Sequence, residues 1–121
     1  MKIRPDSVAV VVKDRKRSAK WYKEALGLKV LEDDGEHWTV VGRGRSGMRI
    51  HLCEQDGGRK PDATEADTGI QLVVDKPLPK VAKQLRKAGV SFEQEPEEMP
   101  WGWVSKIRDP DGNILWLVPS A

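Results

Sequence analysis

The sequence predicts an α+β fold built from two βαβββ modules. Three observations carry this. A unit of strand, aspartate, amphipathic helix and glycine occurs twice, at Asp14 to Gly27 and at Asp75 to Gly89, and the two spacings differ by one residue. Recurrence at such a period marks an internal repeat. After each unit the chain breaks into short runs rich in β-formers, separated by turn residues. The length, 121 residues, suits one domain, since domains typically hold roughly 100–150 residues. The expected layout is therefore a single domain, 1–121, with modules at about 5–55 and 67–119 joined by a polar linker at 55–67.

The elements follow in order. Val8 to Val12 is short and β-branched, hence a strand. Asp14 is placed to cap a helix over 15–26, whose apolar groups Ala19, Tyr22, Ala25 and Leu26 fall at helical spacing. Gly27 stands where a helix-terminating glycine belongs. Lys29 to Glu32, His37 to Val41 and Met48 to Glu54 read as strands, with turns at Asp33–Gly35 and Gly42–Gly47. Beyond the linker, Gly69 to Val74 is a strand and Asp75 a second expected cap. Leu78, Val81, Ala82, Leu85 and Ala88 form the second stripe, with Pro77 and Pro79 in the first turn and Gly89 at the end. Val90 to Phe92 is a short strand, Glu93 to Pro100 an acidic loop, and Trp101 to Arg108 a strand. Asp109-Pro110-Asp111-Gly112 makes a turn into a last strand, Asn113 to Val118.

Composition narrows the function. Lys plus Arg number 21 against 19 Asp plus Glu, a net charge of +2. So small and mixed a charge predicts neither a nucleic-acid nor a membrane partner. One cysteine, Cys53, excludes an internal disulfide, and two histidines, His37 and His51, limit imidazole-based metal chemistry. The longest apolar run, Val8 to Val12, is too short to span a bilayer, and MKIRPDS is not followed by a signal-peptide core. The expectation is a cytoplasmic protein. Five tryptophans stand against one Phe and one Tyr. Such side chains fill cores and line ligand sites.

Several stretches resemble a known family. Val10-Val11-Val12-Lys13-Asp14, Trp21-Tyr22, Leu26-Gly27-Leu28 and Asp109-Pro110-Asp111-Gly112-Asn113 are similar to the vicinal oxygen chelate superfamily. That family comprises glyoxalase I, extradiol dioxygenases, and the fosfomycin and bleomycin resistance proteins. Pro100-Trp101-Gly102 is similar to the bleomycin resistance branch. The resemblance implies a curved mixed-sheet cup, a homodimer, and ligand sites near the subunit interface. Metal-dependent relatives carry one ligand on each of four strands, and the corresponding positions here are Ser7, His51, Gly69 and Trp116. Only His51 ligates well, so the resemblance implies that the metal centre is absent and no cofactor is held. Shifting the alignment by one residue offers Asp6 and Thr68, and still no ligand on the last strand.

Alternation sorts the strand residues between two faces. Val8, Val10, Val12, Ile50, Leu52, Ile70, Leu72 and Val74 are expected to face the helices. Arg49, His51, Cys53, Gln71 and Trp116 are left for the cup. His51 is a candidate base or hydrogen-bond partner, or else a polar residue on a partly solvated face. Arg49 would hold an anionic or carbonyl group, or else is a solvated strand-end cation. Trp116 lines the cup or plugs it. Trp101 and Trp103, two apart, are expected to share a face and clamp a planar ligand, or to pack an interface. Trp21 and Tyr22 are expected in the core, and Trp38 has no assigned face. Gly42 to Gly47 spells G-x-G-x-x-G but opens no helix, so a dinucleotide site is excluded. The DPDG turn lacks the later ligands of a calcium loop. Cys53 and His51 form at most a weak nucleophile pair.

The expected function is metal-independent binding of a small aromatic or antibiotic-like molecule, with Arg49, His51, Gln71, Trp101, Trp103 and Trp116 as ligand-binding residues. Net charge favours a neutral or anionic ligand. The alternative is a glyoxalase- or dioxygenase-type enzyme with a divergent metal site. A third reading is a ligand-free interaction module with Trp116 filling the cup.

Overall fold

The computed structural model describes residues 1–36, 38–44, 47–54 and 67–119. His37, Arg45, Ser46 and the linker residues 55–66 lie outside them. The chain divides into two compact units, Met1–Pro61 and Asp62–Ala121. Among the described residues each holds one helix and one mixed four-stranded sheet, so the predicted α+β class is observed.

The first unit runs β1 (Ser7–Val12), α1 (Arg15–Leu26), β2 (Lys29–Asp33), β3 (Thr39–Gly42) and β4 (Arg49–Glu54), with strand order β1-β4-β3-β2. The second runs β5 (Asp67–Val74), α2 (Leu78–Lys87), β6 (Ser91–Met99), β7 (Gly102–Arg108) and β8 (Ile114–Pro119), ordered β5-β8-β7-β6. In both, the first strand pairs with the last in parallel and the other pairs are antiparallel. The duplication read from the sequence thus reappears as one topology used twice.

Local chemistry sets α1. The Asp14 carboxylate accepts the backbone N–H groups of Lys16 at 3.0 Å and Arg17 at 3.2 Å. These are donors that a helix start leaves without partners. At the other end Gly27 takes φ 71 and donates its N–H to the Lys23 carbonyl. Helix α1 packs on β2, β3 and β4. Val10, Val12, Ile50 and Leu52 are buried there, as alternation predicted, together with Tyr22 and Val41, whereas Val8, expected on the same face, is exposed. Tyr22 is fully buried, and the half-buried Trp21 meets it edge-on at 5.0 Å.

Two expectations for the second unit need correction. Asp75 does not cap α2. Pro77 occupies the cap position and makes no side-chain capping hydrogen bond. Pro77 has ψ 127, outside helical geometry, so the helix starts only after it. The expected acidic loop, Glu93 to Pro100, is instead most of β6. Pro96 hid it, because a proline interrupts a sheet ladder. Strand β6 is an edge strand, however, and its register shifts between Gln94 and Glu97, where a missing N–H is tolerated. Its glutamates are used: Glu95 pairs with Arg86 and Glu93 with Arg108. Charges on an edge also discourage strand addition by other chains.

Candidate functional site

The second sheet presents two faces. Ile70, Ile107, Leu115 and Leu117 are buried on the side of α2, together with Leu78, Ala82 and Leu85. Register aligns four residues across the opposite face: Gln94, Lys106, Trp116 and Gln71, on β6, β7, β8 and β5. A hollow of about 670 Å³ opens on this face. Its walls are Gln71, Gln94, Glu97, Met99, Trp101, Val104, Trp116, Val118 and Pro119. The volume lies within the roughly 300–1,000 Å³ of ordinary small-molecule sites, and the mixture of aromatic, apolar and few polar groups is theirs too.

The polar wall is acceptor-rich. Among the described residues, Glu97 is the only formally charged one lining the hollow. Its carboxylate accepts the Gln94 Nε2–H at 3.1 Å. Gln71 adds an exposed amide. Trp116 is half-buried and stands beside open space, so it lines the hollow and does not fill it. Its indole N–H donates to Asp67 Oδ1 at 2.9 Å. That bond, followed by one from the Gly69 backbone N–H, holds the Asp67 carboxyl below the usual aspartate range.

Gln71, Trp101 and Trp116 therefore come together as expected. Trp103 does not join them. It sits on the α2 side of β7 and borders a separate hollow of about 230 Å³ with Val74, Pro77, Leu78 and Pro119. The two-apart rule fails because Trp101 lies in the turn before β7 and Gly102 between them has φ 129. This backbone geometry turns the chain, and the two indoles flank Gly102 on different sides. Only glycine fits. A Cβ built there would stand 2.8 Å from Pro119 Cγ. No clamp forms between Trp101 and Trp103.

In the first unit, Arg49, His51 and Cys53 share one face of β4, opposite the buried Ile50 and Leu52. Arg49 is not a spare cation. It pairs with Asp6 and, at 3.0 Å, with Glu32. The Arg49 guanidinium in turn holds the Asp6 carboxyl below its ordinary value. His51 lies between Ala9 of β1 and Val40 of β3 in the register, and its buried Nε2 has no hydrogen-bond partner among the described residues.

The residues at the four implied metal positions do not fit a metal. Ser7 is exposed and Gly69 offers no side chain. The indole nitrogen of Trp116 is a donor, already used on Asp67. His51 has only apolar register neighbours. The shifted alignment fares no better, because Asp6 is paired with Arg49 and the Thr68 hydroxyl donates to the Ile114 carbonyl at 2.7 Å. Among the described residues, no three His, Cys, Asp or Glu side chains gather as metal ligands. Nor is any helix among them long and apolar enough to cross a membrane.

Sequence reasoning missed Gln94, Glu97 and Met99, because it read their strand as a loop. A weak signal was present in the alternation of Phe92, Gln94 and Pro96 with Glu93 and Glu95, and in the structure the first three are half-buried and the two glutamates exposed.

Comparison with known proteins agrees with this architecture. The family model described as Glyoxalase/Bleomycin resistance protein/Dioxygenase superfamily matches residues 4–117. Among solved structures, the chain is similar to a member of that superfamily from Sphaerobacter thermophilus DSM 20745, with 28% identity and a TM-score of 0.82 over 98% of each chain. It is similar to TnmS3, an antibiotic binding protein from Streptomyces sp. CB03234, with 25% identity and a TM-score of 0.81, covering 100% of this chain and 99% of that one. A glyoxalase/bleomycin resistance protein from Streptomyces sp. CB03234 matches at 26% identity and a TM-score of 0.74, covering 93% of this chain and 98% of that one.

Proposed function

The chain belongs to the glyoxalase/bleomycin resistance protein/dioxygenase superfamily, and on that premise we propose that it binds a small aromatic, antibiotic-like molecule without a metal ion. The hollow beside Trp101 and Trp116 carries this reading. It offers two indoles for stacking, apolar walls at Met99, Val104 and Val118, and a short polar edge at Gln71, Gln94 and Glu97. The similarity to an antibiotic binding protein points the same way. Among the described residues, the one formal charge on the wall is negative. Of the neutral or anionic ligands that net charge favours, a neutral aromatic molecule with O–H or N–H donors therefore suits the site better.

The residues at the implied metal positions support the metal-free part of the proposal. A glyoxalase- or dioxygenase-type centre needs about three protein ligands with open positions for substrate oxygens. The homodimer and the cytoplasmic setting belong to the same proposal and rest on the family resemblance.

The test is thermal unfolding of metal-stripped protein titrated with Mn(II), Fe(II), Ni(II) and Zn(II), followed by a screen of aromatic antibiotics read by tryptophan quenching. Micromolar binding at millimolar ligand stabilises a native state by about 4 kcal/mol. Saturable quenching that is lost in Trp116→Ala, with no saturable metal shift, is the expected result. A metal shift abolished by His51→Ala would overturn the proposal.

A further inference from the structure

Trp116 is held more firmly than a side chain on an open sheet face needs to be. Its Nε1–H reaches Asp67 Oδ1 at 2.9 Å. The same carboxylate oxygen accepts the Gly69 backbone N–H at 3.0 Å, so the acceptor is itself fixed. Lys106 is the register partner of Trp116 on β7. Its Nζ lies 4.0 Å from the ring centroid, a cation–π contact. Asp67 thus fixes the edge of the indole and Lys106 covers one face. Neither Asp67 nor Lys106 lines the hollow, whereas Trp116 does.

We propose that Asp67 and Lys106 are positioning residues that hold the Trp116 indole as a preset stacking surface for a planar aromatic ligand. The inference rests on the hollow being the ligand site. Ordering a mobile side chain on binding costs affinity, and a side chain already ordered avoids that cost. Lys106 remains a cation beside the ring, while Glu97 is the charged residue that lines the hollow among those described.

The experiment has two readouts on wild type, Asp67→Ala, Asp67→Asn, Lys106→Met, Lys106→Arg and Trp116→Phe. The first is the indole N–H resonance of Trp116 in ¹⁵N NMR, assigned by its loss in Trp116→Phe. The second is the affinity for N-phenyl-1-naphthylamine, a neutral aromatic fluorophore. Asp67→Ala should move the indole resonance toward that of a solvated indole and weaken the probe roughly three- to tenfold, the cost of ordering one side chain. Asp67→Asn keeps an acceptor and Lys106→Arg keeps a cation, so both should largely restore the two readouts. Lys106→Met should weaken the probe with a smaller change at the N–H, and it carries the test alone if Asp67→Ala does not fold. An unmoved indole resonance in Asp67→Ala overturns the clamp. Unchanged probe affinity in Asp67→Ala and Lys106→Met, alongside weakening in Trp116→Phe, overturns the positioning role but leaves the ligand site standing. Failure of the probe to bind wild type counts against the ligand site, and the clamp is then judged by the resonance.

Discussion

Gly102→Ala concentrates two costs at one position, and each can be sized from the structure. The residue has φ 129, a geometry that side-chain-bearing residues avoid. Holding an alanine there costs about 1–3 kcal/mol. Its Cβ would also stand 2.8 Å from Pro119 Cγ and 3.3 Å from Pro119 Cβ. Such overpacking against a ring that cannot rotate away adds about 1–3 kcal/mol. The expected loss is therefore about 2–6 kcal/mol, much of the roughly 5–15 kcal/mol that holds a typical domain folded. Chemical denaturation followed by tryptophan fluorescence measures it. The two costs separate in a double mutant. Pro119→Ala removes the ring carbons, so Gly102→Ala in that background should recover the steric part, about 1–3 kcal/mol, and retain the backbone part. Stability within about 0.5 kcal/mol of wild type for Gly102→Ala would refute the reasoning. So would strict additivity in the double mutant, because the clash would then be absent.

Three further outcomes are expected. Arg15 is buried, bonds Glu54 at 2.9 Å and lies 3.8 Å from Asp34; Arg15→Met should cost about 2 kcal/mol, the worth of a charged hydrogen bond, in urea unfolding. The Asp109 carboxylate accepts the backbone N–H groups of Asp111 at 2.9 Å and Asn113 at 2.8 Å, and the Asn113 side-chain amide at 2.9 Å; Asp109→Ala should cost about 3 kcal/mol by stranding buried donors, and an unchanged midpoint would contradict this. Asp67 titrates below the ordinary aspartate value of 3.8. A depressed carboxylate stabilises the fold above its unfolded value and loses that contribution as pH falls through its folded one. The stability advantage of wild type over Asp67→Asn should therefore be constant near neutral pH and shrink below about pH 4; acid unfolding curves that keep a constant separation down to pH 2 would count against it.

What was legible in the sequence was local in origin. Asp14 and Gly27 bound α1 because capping needs only residues a turn away, and those residues are adjacent in the chain. The Asp109 turn closes on Asn113 within five residues. Alternation placed Gln71 and Trp116 on one face because strand parity is a property of the chain itself. Duplication of the topology followed from repeated local signals.

Tertiary structure decided the rest, because the deciding partners are distant in sequence or act through the backbone. Arg49 read as a spare cation until Asp6 and Glu32 were brought to it from other parts of the first unit. The acidic segment became a strand because an edge position tolerates Pro96, and edge status belongs to the sheet. Trp101 and Trp103 parted because Gly102 folds against Pro119, the last residue of β8. The clamp on Trp116 requires β5, β7 and β8 to be in register, which no stretch of chain encodes alone. Local signals along the chain showed most of the elements and the facing of most strand residues. The assembled sheet determined which of those side chains remain available to a ligand, since charge pairing, register and close backbone packing exist only once distant strands meet.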